Sequence, residues 1–138
     1  MNIIIINGPN LNLLGIREVE VYGHESFDDY FIFLKNKYNN LSLSYYQSNV
    51  EGELINKIQE VGFSYDGIII NPGGYTHTSV AILDAIKAIK TPVVEVHISN
   101  IYSREYFRRK SLISPVVIGG VFGLGLKSYE SALSFFID

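Results

Sequence analysis

Residues 1–23 read MNIIIINGPNLNLLGIREVEVYG, and this stretch decides the fold. Ile3 to Ile6 are four consecutive β-branched residues. A run that is apolar at every position, not at alternate ones, suits a strand buried on both faces of a sheet. Asn7-Gly8-Pro9-Asn10 then stops the strand with turn-forming residues. The loop beyond carries Asn10, Asn12, Arg17, Glu18 and Tyr22, with glycines at 15 and 23. Ligands of open α/β sheets bind at the carboxyl edge of the strands, so this polar loop is a candidate site.

The same grammar recurs downstream. Ser26 and Asp29 form a capping pair for a helix over 27–38, with Phe27, Tyr30, Phe31, Leu34 and Tyr38 on its apolar stripe. Residues 41–45 alternate apolar and polar, as a strand at the sheet edge does. Ser48 and Glu51 read as a second capping pair before a helix with Leu54, Ile55, Ile58 and Val61 inward. Ile68-Ile69-Ile70 repeats the buried-strand pattern, and Asn71-Pro72-Gly73-Gly74 echoes Asn7-Gly8-Pro9-Asn10. A helix over 78–89, a strand over 92–96, a charged short helix or turn over 103–111, a strand over 115–118 and a helix near 128–136 complete the chain.

Strict β-α alternation predicts a parallel sheet with helices on both faces. With the exposed second strand at one edge, the expectation is a flavodoxin-like three-layer sandwich of order 2-1-3-4-5, occupying residues 1–138 as one domain. The switch point would then bring the strand ends at 7–10 and 71–74 side by side.

Composition narrows the chemistry. A net charge of -3 argues against nucleic acid as a partner, which would favour a basic face. The absence of cysteine excludes disulfides, thiolate metal sites and a Cys nucleophile, and fits a cytoplasmic protein. Neither a signal peptide nor an apolar run of ~18 residues is present, so no membrane span is expected. His24, His77 and His97 lack the spacing of a helical zinc site, so no metal is expected. Gly123 to Ser128 resembles a truncated G-x-G-x-x-G, and Gly120 to Ser128 a P-loop with one residue too many before Lys127. Such loops belong after the first strand, with a ribose-binding acid ~20 residues on, so plain turn glycines are the better reading.

At the expected carboxyl edge lie Asn7, Asn10, Arg17, Tyr22, Gln47, Asn49, Asn71, His77, Glu95, His97, Ser99, Arg104 and Arg108. Three arginines in an acidic protein suggest a small anionic ligand. A tyrosine beside arginines can serve as base, a histidine held by a carboxylate as acid, and amides can hold an enolate oxygen. An FMN- or nucleotide-binding module, a non-catalytic scaffold, and an enzyme for a related polyhydroxy acid stand as alternatives.

The motifs N-G-P-N-L-N-L-L-G-x-R-E at 7–18, Y-G at 22–23, Q-S-N-x-E-G-E-L-I at 47–55, N-P-G-G-Y-T-H-T-S-V-A at 71–81, E-V-H-I-S-N-I at 95–101 and R-E-x-F-R-R-K-S at 104–111 belong together. In order and spacing they resemble type II 3-dehydroquinate dehydratase, over nearly the whole chain. The resemblance implies anti elimination of water from 3-dehydroquinate to 3-dehydroshikimate through an enolate, in the shikimate pathway, with no cofactor. It implies Tyr22 as the base, with Arg17 on the same mobile loop lowering its pKa. Asn10 would hold the water at the enolate oxygen, and His97, oriented by Glu95, would be the acid. Asn71, His77, Arg108 and the backbone amides of Ile98 and Ser99 would bind substrate. Asp84 would come from a neighbouring subunit of a dodecamer built as a tetramer of trimers. Val19, Val50, Leu83 and Tyr102 depart from the family pattern, and none has a proposed chemical role.

Overall fold

The computed structural model describes residues 1–137. Its sheet contains β1 (Asn2–Asn7), β2 (Ser42–Gln47), β3 (Gly67–Asn71), β4 (Val93–His97) and β5 (Gly119–Phe122), all parallel, in the order β2-β1-β3-β4-β5. Parallel neighbours require crossovers, which the helices supply. They are α2 (Phe27–Lys37), α3 (Glu51–Val61), α4 (Val80–Ala88) and α5 (Lys127–Ile137); a single turn, α1 (Val19–Tyr22), lies in the first loop.

The isoleucine run explains the three layers. Successive strand side chains point to opposite faces. Ile3 and Ile5 therefore pack with Phe27, Tyr30 and Leu34 of α2 and with Tyr129, Ala132 and Leu133 of α5. Ile4 and Ile6 pack with Leu54, Ile58 and Val61 of α3 and with Ile82, Ala85 and Ile86 of α4. β3 repeats the division, Ile69 facing the first core and Ile68 and Ile70 the second. This is the expected sandwich, with β2 at the edge.

Three sequence expectations need correction. The fifth strand is Gly119–Phe122, not 115–118. Ser114–Val116 forms a 3-10 turn whose Pro115 has no amide to give a ladder. Val116 and Val117 satisfy their apolar character by packing on the α3/α4 side of the sheet, and the glycines read as a turn carry the pairing. Ser48 does cap the turn into α3, but Glu51 is not its partner. The helix starts at Glu51, so Ser48 accepts the Val50 amide at 2.9 Å and its hydroxyl donates to Glu53 at 2.5 Å. The third long helix starts at Val80, capped by Ser79, whose Oγ accepts the Ile82 amide at 2.9 Å; the residues before it, Gly73–His77, form a 3-10 turn. The Ser26 cap stands as expected, accepting the Asp29 amide at 3.2 Å.

Beyond β1 and β3 the chain ends nearly touch. The Gly8 amide donates to the Asn71 carbonyl at 2.7 Å. A Cβ on Gly8 would lie 2.3 Å from the Pro72 carbonyl oxygen, a backbone atom that cannot swing aside. We therefore expect Gly8→Ala to cost about 1–3 kcal/mol of stability by overpacking, read as a lowered urea midpoint. An unchanged midpoint would show that the strand ends can separate freely.

Candidate active site

The two strand ends floor a cavity of about 150 Å³ at the carboxyl edge of the sheet. Beneath them stands Tyr129 of α5, fully buried. Its hydroxyl donates to Asn7 Oδ1 at 2.8 Å and accepts from Asn71 Nδ2 at 2.9 Å. Asn71 Oδ1 in turn accepts the Gly73 amide at 3.1 Å. Asn71 thus lines the cavity with one N–H and one oxygen lone pair of its amide engaged, while Asn7 is structural.

The roof is the loop after β1. Asn10 (φ 69°) and Glu18 (φ 41°) both adopt left-handed backbone, which is costly for residues with a Cβ. The loop is pinned where it leaves the sheet: the Asn10 amide donates to Asn49 Oδ1 at 3.0 Å, and Gln47 Nε2 donates to the Gly8 carbonyl at 3.1 Å. Gln47 and Asn49, candidates on sequence grounds, are therefore supports outside the cavity lining. Asn10, Arg17 and Tyr22 all reach the cavity.

Tyr22 meets two guanidiniums in different ways. Arg104 Nη1 donates to the phenol oxygen at 2.9 Å and to Ser99 Oγ at 3.3 Å. Arg17 lies over the ring, 4.9 Å from its centroid, and pairs with Glu18. The cation bonded to the phenol oxygen is thus Arg104, with Arg17 as a face contact.

His97, at the end of β4, is buried. Its Nε2–H donates to Glu95 Oε2 at 2.6 Å, leaving Nδ1 for the cavity. Phe122 of β5 stacks on the imidazole at 5.3 Å, and Tyr102 packs against Phe122 in turn. Glu95 lies behind His97, wholly buried. Burial pushes its carboxyl up, but hydrogen bonds from His97, Ser111 and Ser114 outweigh this and hold it below the usual carboxylate range.

His77 sits opposite. Burial lowers its pKa, and the positive charges at His97, Arg108 and Arg104 act in the same sense, against its bond to the Lys110 carbonyl. It is a neutral ring with Nδ1–H donated to that carbonyl at 2.8 Å, so its Nε2 is an acceptor for a hydroxyl. Arg108 lines the cavity with its Nε held by both Glu105 oxygens at 3.2 and 3.3 Å, which leaves its Nη groups for an anion. Ile98 and Ser99 line the same wall. Asp84 does not; it lies exposed on α4.

The glycine loop before α5 is no phosphate cradle. The Gly123 and Gly125 amides donate to the His97 and Ile98 carbonyls at 3.0 Å each, and the Leu124 amide donates to Ser128 Oγ at 3.1 Å. The donors that a phosphate would need are already paired. Among the described residues no group of three or more His, Asp or Glu side chains is placed to hold a metal.

Sequence reading missed Tyr129, Phe122, Ser111 and Ser114. The first two look like ordinary core aromatics, and the two serines sit in a charged turn; only the fold brings them to the site.

Comparison with known proteins agrees with this geometry. The family model described as dehydroquinase class II matches residues 1–137. A 3-dehydroquinate dehydratase of Fusobacterium nucleatum is 54% identical over 143 residues, covering 100% of this chain and 97% of that protein. The crystal structure of type II dehydroquinase from Butyrivibrio crossotus superposes with a TM-score of 0.94 at 48% identity, covering 100% of this chain and 98% of that one. The Propionibacterium acnes type II dehydroquinase gives 0.92 at 38% identity, over 99% and 97% of the two chains. With a phenol–arginine pair and a carboxylate-held imidazole on one cavity, and with relatives of this identity along its whole length, the chain belongs to the class II dehydroquinase family.

Proposed function

We propose that the cavity dehydrates 3-dehydroquinate to 3-dehydroshikimate, as a step of the shikimate pathway in the cytoplasm. The observation that carries this reading is the convergence of Tyr22, its oxygen bonded to Arg104, and His97, backed by Glu95, on one small polar cavity. Proton abstraction beside a ketone needs a base, a holder for the enolate oxygen and an acid for the departing group.

Tyr22, as phenolate, takes the C2 proton, and the C2–H electron pair passes into the enolate. Asn10 holds the water that hydrogen-bonds the enolate oxygen. Collapse of the enolate reforms the carbonyl and expels the C1 hydroxyl, which His97 protonates from Nδ1 to give water. The substrate ketone is itself the electron sink, so the elimination calls for no cofactor. Asn71, His77, the Ile98 and Ser99 amides and the Nη groups of Arg108 bind the hydroxyls and carboxylate. Closure of the first loop over the substrate excludes water and strengthens each of these contacts. Asp84 reaches a site only from another copy of the chain, so its part in binding goes with the dodecameric assembly, a tetramer of trimers. Light scattering of the purified protein checks that assembly.

The deciding experiment follows the ultraviolet absorbance of the conjugated enone after adding 3-dehydroquinate, with and without prior borohydride treatment in the presence of substrate. Among the described residues no lysine lines the cavity, so we expect turnover that survives borohydride. Loss of turnover after borohydride would keep the substrate and replace acid–base elimination by an imine route. No absorbance change with folded protein would point to a different polyhydroxy acid.

A further inference from the structure

A carboxylate as enclosed as Glu95 should take up a proton unless donors surround it. Its ring partner is His97; among the described residues no arginine or lysine bonds it. Two hydroxyls do the rest. Ser111 Oγ donates to Oε2 at 2.6 Å and Ser114 Oγ to Oε1 at 2.5 Å. The Ser114 amide donates to Ser111 Oγ at 3.1 Å, which occupies an acceptor position of that hydroxyl and leaves its proton for the carboxylate.

The choice of donor matters. An arginine in this place would neutralise the charge of Glu95, whereas hydroxyls solvate it and leave it whole. The full negative charge then remains to stabilise the imidazolium from which His97, as the acid, gives up its Nδ1 proton. The same turn also fixes the opposite wall. The Lys110 carbonyl holds His77 Nδ1–H at 2.8 Å, and the Leu112 amide donates to the Thr76 carbonyl at 2.9 Å. Residues 110–114 therefore set both histidines from one short segment.

We infer that Ser111 and Ser114 are positioning residues of the reaction, holding Glu95 ionised and fixed so that His97 presents Nδ1 to the cavity as the acid. The inference rests on His97 being that acid. The serine hydrogen bonds act to lower the Glu95 carboxyl, in the direction the inference requires. Beyond the pair, the titratable and charged groups of the cavity are Tyr22, His77, Arg17, Arg104 and Arg108. The register neighbours of Glu95 in the sheet are Ile70 and Gly120, which carry no charge.

The test is the Ser111→Ala/Ser114→Ala double variant, with the Ser111→Thr and Ser114→Thr variants as rescue. Two readouts apply: steady-state kinetics with 3-dehydroquinate across pH, and carbon NMR titration of the Glu95 carboxyl. We expect kcat to fall about ten- to a hundredfold, the loss of charge-assisted hydrogen bonds expressed as rate. KM should hold, the Glu95 carboxyl should titrate at higher pH than in the parent, and the threonine variants should recover most of kcat. A fall in kcat with the carboxyl titration unmoved would overturn the inference, since the serines would then act on the fold alone. Unchanged kcat and titration would overturn it equally. Failure of the underlying reading looks different: a His97→Ala protein that still turns over removes the acid, whatever the carboxyl titration shows.

Discussion

Tyr22→Phe is expected to lose about 10²–10⁴-fold in kcat, the usual worth of a positioned proton-transfer group. The change removes one oxygen and nothing that the core needs. Tyr22 is half-buried at the end of α1, and its ring contact with Arg17 needs only the aromatic face. The fold should therefore hold, and circular dichroism and thermal unfolding should match the parent. What is lost is the acceptor that Arg104 grips at 2.9 Å. KM should change little, because the phenol contributes to the transition state and the substrate hydroxyls are held elsewhere. Turnover at the parental rate in Tyr22→Phe would end its assignment as the base.

His97→Ala carries a loss of similar size, about 10²–10⁴-fold in kcat, for the departing hydroxyl then has no acid. Its second effect differs in kind. Glu95 keeps its two serine donors but loses the third, at 2.6 Å, inside a fully buried pocket. An under-satisfied buried charge costs about 1.5–3 kcal/mol, so this variant should also unfold at lower urea. His97→Gln separates the two effects. Its amide can donate to Glu95, which should restore much of the stability, but it cannot supply a proton to a leaving group. Near-parental turnover in His97→Gln would show that the acid lies elsewhere.

The layers were legible in the chain because strand and core signals are local. Ile3–Ile6 and Ile68–Ile70 are apolar at every position, and both runs are buried on both faces of the sheet. β5 was not legible, since Val116, Val117 and Ile118 carry a strand's composition while Gly119 and Gly120 carry a turn's. At Gly120 the missing side chain makes room for the Phe122 ring of the same strand, which would lie 2.7 Å from a Cβ there, whereas Gly119 faces open space. Residue types at the site were legible through their motifs, but their pairings were not. Arg17 stands near Tyr22 in sequence and meets the face of its ring, whereas Arg104, 82 positions away, holds the oxygen. Ser111 closes a quoted motif and Ser114 lies outside any, yet neither showed its role, because a hydroxyl's partner is decided by what the fold sets opposite it.

The Tyr129 bridge has a consequence for synthesis of the chain on the ribosome. Asn7 leaves the ribosome early, and the hydroxyl it accepts from lies 122 positions later. At elongation rates of roughly 5–20 residues per second, the wait is about 6–24 s. By the end of that interval the growing chain holds the phenol, both cavity histidines and the arginines, yet the two asparagines under them have no common anchor. Affinity for substrate should thus arise abruptly, when the final helix docks. A ligand that binds the finished cavity reports on the integrity of the whole fold, from its first strand to its last helix.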